Sequence, residues 1–215
     1  MKHKLLLIGA GGHCKVISDL LLKSKEYKTV GIIDLRKNTW DNVFGIPVIG
    51  TDSDLPKFFK NGVRHCFISV GSMGNPALRI KLYSIAQRIG FIFPNLIHPS
   101  AIISSHASLD KGNYIAPGVI INAGTRIGTN CIINTGALID HDCVIGDFVH
   151  IAPGVVLSGS VSINRNTHVG AGSSVIQGIT IGMNSIIGAG SVVVKDIKSN
   201  SLAFGNPCKV KKTNA

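Results

Sequence analysis

The tripeptide Asp140-His141-Asp142 sets an imidazole between two carboxylates. Imidazole titrates close to neutrality, so it can take a proton from an attacking amine or hydroxyl. A carboxylate beside it can hold the ring and stabilise the imidazolium, as the third member of a catalytic triad does. Adjacency alone leaves open which of Asp140 and Asp142 faces the ring. The other candidates are fewer. His106, His150 and His168 have no flanking carboxylate, and the five cysteines show no CxxC or ligand-like spacing.

The elements that must carry His141 are visible as a repeat of six. Every sixth residue from Ile97, through Ile115, Ile133 and Ile151 to Val193, is Leu, Ile or Val. Four residues after each comes a second column of mostly small residues, among them Ala107, Thr125, Cys131, Ala137, Cys143, Thr167, Ser173 and Ser191. The positions one and three after the large residue are rich in Gly, Asn and Asp, which tolerate tight or left-handed backbone. A period of six fits neither a helix nor a long strand. It fits a β-solenoid in which each hexad supplies one side and one corner and three hexads close a coil. In this frame Cys131 and Cys143 are core residues. His141 points outward, and its neighbours one coil away are Ala123 and Gly159, which predicts open space around the ring.

Residues 1–96 have a different pattern. A buried strand over 4–8 is followed by Gly9-Ala10-Gly11-Gly12-His13 and a helix from Cys14 to about Ser24, with Val16, Ile17, Leu20 and Leu21 on one face. Strand, glycine turn and helix suit anionic oxygens at a helix N-terminus. The next strand, Thr29 to Ile33, ends in Asp34, where a ribose- or base-reading carboxylate belongs. The spacing is G-x-G-G-H rather than G-x-G-x-x-G, so NAD is not implied. Further expectations are strands ending at Gly50 and Gly71, a helix from Asp52 capped near Ser53, and a helix from Asn75 to about Ile89 with Arg79 and Lys81 on its outer side. The fold class is thus an α/β Rossmann-like domain, 1–96, followed by a β-helix with a C-terminal cap, 97–215.

The net charge of +11 is uneven, with 14 Lys/Arg against 6 Asp/Glu in residues 1–96 and 8 against 5 in the rest. The basic residues are scattered and not interleaved with aromatics, so phosphates of small substrates explain the sign better than nucleic acid does. No apolar run is long enough for a signal or spanning segment, so membrane insertion is not expected. An odd number of cysteines fits a reducing cytoplasm.

The hexads resemble those of the left-handed β-helix acyltransferases. The chain as a whole, from Gly9-Ala-Gly-Gly-His13 through Gly71 and Arg79 to His141-Asp142 and the closing Gly205-Asn-Pro-Cys-Lys209, resembles the bacterial nucleotide-amino-sugar N-acetyltransferases of the perosamine and bacillosamine type. That group also includes sialic acid O-acetyltransferases. The resemblance implies a homotrimer with acetyl-CoA as co-substrate in grooves between subunits, a nucleotide-linked 4-amino-4,6-dideoxysugar as acceptor, and no metal. It implies His141 as base, Asp142 as its partner and the Gly159 N–H as oxyanion donor. Gly11, Gly12, His13, Asp34, Arg36, Gly50, Gly71 and Asn134 would hold the nucleotide sugar. His150, Gly159, Ala171, Ile176, Ala189, Pro207 and Lys209 would line the CoA site. In many members the residue after the histidine is Glu, and Asp142 is a methylene shorter. The competing readings are O-acetylation of a sugar hydroxyl by the same histidine, a binding solenoid without turnover, and a zinc site, for which His141 lies off the column of His150 and His168.

Overall fold

A computed structural model describes residues 2–35 and 41–213 and divides into two compact units, Met1–Gly71 with Pro76–Pro94, and Ser72–Asn75 with Asn95–Ala215. Arg36 lies outside the described residues.

The first unit is built on a five-stranded sheet. In chain order its elements are β1 (His3–Ile8), α1 (Gly12–Leu22), β2 (Tyr27–Ile33), β3 (Asn42–Val43), β4 (Ile46–Gly50), a 3-10 turn (Asp52–Asp54), α2 (Leu55–Lys60), β5 (His65–Ile68) and α3 (Ala77–Ile89). The sheet order is β3-β4-β2-β1-β5, parallel apart from the short β3. Leu5 to Ile8, Ile32, Ile33 and Cys66 to Ile68 are wholly buried, as expected for strands covered on both faces. Three expectations are corrected. Val16 is 48% exposed, and the buried face of α1 is Cys14, Ile17, Ser18 and Leu21, because the helix starts at Gly12 and its phase is set by docking on the sheet. The cap before the 3-10 turn is Thr51, in a reciprocal box with Asp54, and not Ser53. Arg79 is fully buried instead of outward; its guanidinium donates to the carbonyls of Ile68, at 2.9 Å, and Val70, and so ties α3 to the end of β5.

The second unit is a parallel β-helix. Each hexad makes a two-residue strand, and strands pair with those one coil on in strict register, Ile121 with Ile139, Ile127 with Ile145, Ile133 with Ile151. The large column is buried from Ile115 to Val193; only the first coil is open, with Ile97 42% exposed. Burying each such side chain contributes about 1.5–3 kcal/mol. The small column is buried as well, and its polarity has a reason. Thr125 Oγ1 donates to Asp140 O at 2.7 Å and accepts from Cys143 N; Thr167 and Ser173 do the same at later corners, and the Cys131 and Cys143 thiols donate to Gly146 O and Ser158 O. These groups satisfy corner carbonyls that would otherwise be buried without a partner.

Corners turn through one left-handed residue. Every sixth residue from Gly112 to Gly190 has φ between +55° and +75°, and six of these are not glycine: Asn130, Asp142, Phe148, Ser160, Asn166 and Asn184. Only the third position after the large residue is left-handed, so the Gly/Asn/Asp richness at the first position is not a backbone requirement. The last coil is closed by a strand at Ser201–Phe204, parallel to Ile186–Ile187, and an exposed antiparallel strand at Lys209–Thr213.

Candidate active site

His141 follows the strand Leu138–Ile139, at a corner whose left-handed residue is Asp142, φ +58°. That corner brings the Asp142 carboxylate round to the ring, with Oδ2 2.9 Å from His141 Nδ1. The shorter acid therefore reaches, and the choice that adjacency leaves open is decided for Asp142. Asp140 braces the backbone instead. Its Oδ1 accepts the His141 backbone N–H at 2.8 Å and an Asn122 Nδ2–H at 2.9 Å. Asn122 and the His141 N–H hold Asp140 below the usual carboxylate range. The hydrogen bond that His141 donates to Asp142, then the charge of Asp140, raise His141 above the ordinary imidazole value.

Nδ1–H donating to Asp142 leaves Nε2 as the basic atom. Nε2 lies over Gly159, where a Cβ would come within 2.6 Å of both Nε2 and Cε1. The expected space on that side is thus filled by the imidazole itself, and Gly159 is the residue that makes room for it. Similarly, a side chain on Gly124 would collide with the Asp142 carboxylate. Among the described residues the Gly159 N–H has no acceptor. Open volume lies to one side instead, a cavity of about 300 Å³ lined by Asn122, Leu138, Asp140, Val156 and Ser158.

The remaining expected residues divide between two edges of the helix. His141, Asp142, Gly159 and Ile176 lie at the corners after the strands Leu138–Ile139, Val156–Leu157 and Ser174–Val175. Asn134, Ala171 and Ala189 lie at the corners on the opposite edge of that face, with the Gly190 N–H bonded to Ala171 O. His150, at the margin of that second edge, is buried. Its Nδ1 is 2.6 Å from Ser72 O, its Nε2 is 3.4 Å from Asn134 Nδ2, and its ring packs edge-on to His168 at 4.8 Å. Pro207 and Lys209 are exposed in the cap. Among the described residues no group of three or more His, Cys, Asp or Glu could hold a metal ion.

In the first unit a cavity of about 400 Å³ opens at the carboxyl ends of β1, β2 and β5 and is lined by Gly11, Asp34 and Gly71 together with Asp52, Leu35 and Leu78. Gly12, His13 and Gly50 do not line it. Gly50 is buried where a Cβ would come within 2.6 Å of Asp54 Oδ2, so it is there for packing. Asp34 Oδ2 accepts the Ala10 N–H at 2.7 Å, which makes this carboxylate a brace for the glycine turn as well as a wall of the cavity. Asp52 was missed in the sequence, since nothing local marks it.

The chain matches two family models, the PglD N-terminal domain over residues 4–86 and the bacterial transferase hexapeptide (six repeats) over 124–159. It is 40% identical to PerB of Caulobacter crescentus, solved with CoA and GDP-perosamine, with 97% of each chain covered and a TM-score of 0.90. It is 36% identical to the acetyltransferase domain of PglB from Neisseria gonorrhoeae, covering 97% of this chain and all of that one, TM-score 0.89. The same domain has been solved with acetyl coenzyme A. The chain belongs to the hexapeptide-repeat nucleotide-amino-sugar N-acetyltransferases. In this family the solenoid is the left-handed parallel β-helix, and the acetyltransferase carries its Rossmann-like unit first.

Proposed function

We propose that this acetyltransferase moves the acetyl group of acetyl-CoA onto the 4-amino group of a nucleotide-linked 4-amino-4,6-dideoxysugar, with His141 as general base. The observation that carries this reading is a ring held through Nδ1 by Asp142 and packed at Nε2 against Gly159, whose N–H has no acceptor among the described residues. The amine lone pair attacks the thioester carbon, and His141 Nε2 takes the proton that the nitrogen sheds. The Gly159 N–H donates to the oxyanion. Collapse of the tetrahedral centre breaks the C–S bond, and the imidazolium returns the proton to the CoA thiolate. Positioning and the preorganised donor supply most of the acceleration, and Asp142 stabilises the imidazolium.

The working form is a homotrimer. One chain places His141, Gly159 and Ile176 on one edge of a face and Asn134, His150, Ala171 and Ala189 on the other, so a groove containing both sets needs a second subunit. The face between them carries Ile102, Leu138 and Val156, exposed by 65%, 39% and 36%, an apolar stripe suited to association. Pro207 and Lys209 of the cap then face the CoA phosphates, while Gly11, Asp34 and Gly71, with Gly12 and His13 beside the glycine turn, hold the nucleotide. Five free thiols and dependence on acetyl-CoA fit the cytoplasm.

The test is CoA release from acetyl-CoA with a panel of GDP-, UDP- and dTDP-linked 4-amino sugars, GDP-linked first because PerB was solved with GDP-perosamine. Turnover on one of them should fall by about 10²–10⁴ in His141→Ala. Release with hydroxyl sugars alone would move the reaction to O-acetylation, and unchanged activity in the variant would remove His141 as base.

A further inference from the structure

The cavity of the first unit contains a carboxylate that the mechanism leaves unused. β4 lies next to β2 and β2 next to β1, so the residues following these strands stand in a row. The glycine turn follows β1, Asp34 follows β2 directly, and Asp52 follows β4 with Thr51 between. At about 4.8 Å per strand, Asp52 lies roughly 10 Å along the cavity from the turn. With the pyrophosphate at the turn and the start of α1, the ribose comes opposite Asp34 and the base opposite Asp52.

The three acidic side chains near this edge are not equivalent. Asp34 is committed to the Ala10 N–H, and Asp54 accepts from Thr51 N at 2.8 Å in the capping box. The Asp52 carboxylate, half-buried in the cavity wall, has no hydrogen-bond or ion-pair partner among the described residues. Burial pushes its pKa up; Lys81 opposes this and Asp34 adds to it. Around it the walls are aliphatic, and Leu35 and Leu78 stay 69% and 49% exposed, flat apolar surface for the faces of a ring.

We propose that this cavity selects guanine, with Asp52 as the residue that reads the base. An ionised carboxylate only accepts hydrogen bonds, and its two oxygens suit two parallel donors. Guanine offers two on one edge, N1–H and the exocyclic N2–H. Uracil and thymine offer a single N–H between two carbonyls, which would set lone pairs against the carboxylate. Adenine and cytosine place a donor beside an acceptor on the corresponding edge. A half-buried acceptor left unpaired rejects such ligands strongly, since its desolvation is not repaid.

The inference rests on the nucleotide-sugar reading above, and the experiment separates the two. Calorimetric affinities of the intact protein for GDP, IDP, UDP, dTDP and ADP are compared with those of Asp52→Asn. GDP should bind tightest. IDP, which lacks only the exocyclic amine, should bind roughly 10–100-fold more weakly. In Asp52→Asn, GDP should weaken by a similar factor, the GDP–IDP difference should shrink to within about threefold, and UDP should not weaken. Equal binding of GDP and IDP by the wild-type protein, a comparison that needs no variant, would overturn the proposal, and so would a full GDP preference in Asp52→Asn. Binding of no nucleoside diphosphate, with acetyl transfer to a free amino sugar, would overturn the nucleotide-sugar reading itself.

Discussion

Replacing Gly159 by Ala tests whether ring placement controls the rate. The new Cβ would be 2.6 Å from both Cε1 and Nε2 of His141. Carbon atoms in contact sit about 3.5–4.0 Å apart, so the ring must retreat by about 1 Å. Its side chain is 54% exposed and turns without disturbing the solenoid, and the contact it strains is the 2.9 Å pair with Asp142. An exposed pair of this kind contributes little to stability, so Tm should shift by no more than about 4 °C. A displacement of 1 Å at the base can cost about 10²-fold in rate. The Gly159 N–H survives the substitution, so the loss reports on the ring and not on removal of the proposed oxyanion donor. CoA release and thermal melting are measured for Gly159→Ala, His141→Ala and the double variant. We expect kcat/KM to fall about 10²-fold in the first, with the double variant no slower than His141→Ala alone. Activity within about threefold of wild type, or a further 10²-fold loss on the His141→Ala background, would refute the reasoning.

Two further outcomes concern pH. The proposed base must be neutral to act, and the pKa of His141 is raised chiefly by Asp142, so kcat/KM should rise with pH through that raised value; in Asp142→Asn the rise should begin at lower pH with a plateau reduced by on the order of 10–10²-fold. Asp140→Asn, which removes only the second contribution, should move the rise less in the same direction, and a shift to higher pH in either variant would contradict the assignment. His168 is held neutral by burial, and its Nδ1 finds no partner among the described residues, so its folded pKa lies below the unfolded one. The unfolded chain then binds the extra proton, and this contribution to stability is complete above about pH 6.5 and lost as pH falls through the depressed value. Melting temperatures from pH 7.5 to 5 should fall less steeply in His168→Gln than in wild type.

Much of the second unit could be read from the sequence, because a solenoid is close to one-dimensional. Each hexad meets only its neighbours at fixed spacing, so the six-residue period alone yields strand, inward residue and corner. It also placed His141 outward and put Gly159 one coil away. The α/β order of the first unit was legible for the same local reason, alternating apolar strands and glycine turns. The phase of α1, the burial of Arg79 and the identity of the cap at Thr51 were not, since each depends on what the element docks against.

The sequence by itself determined which residues could do chemistry, His141 with an acid on either side, and the coil that carries them. Only the tertiary structure decided how they are used. The left-handed turn at residue 142 gives the ring to Asp142 and leaves Asp140 to Asn122 and the backbone. Stacking at one coil lays the imidazole on Gly159, and the order of strands in the sheet brings Asp52 into the cavity with Gly11 and Asp34. The physical reason is the same in each case: side-chain type is written at one position, but a hydrogen-bond partner or a space is made by backbone from elsewhere in the chain, and no local pattern encodes that approach.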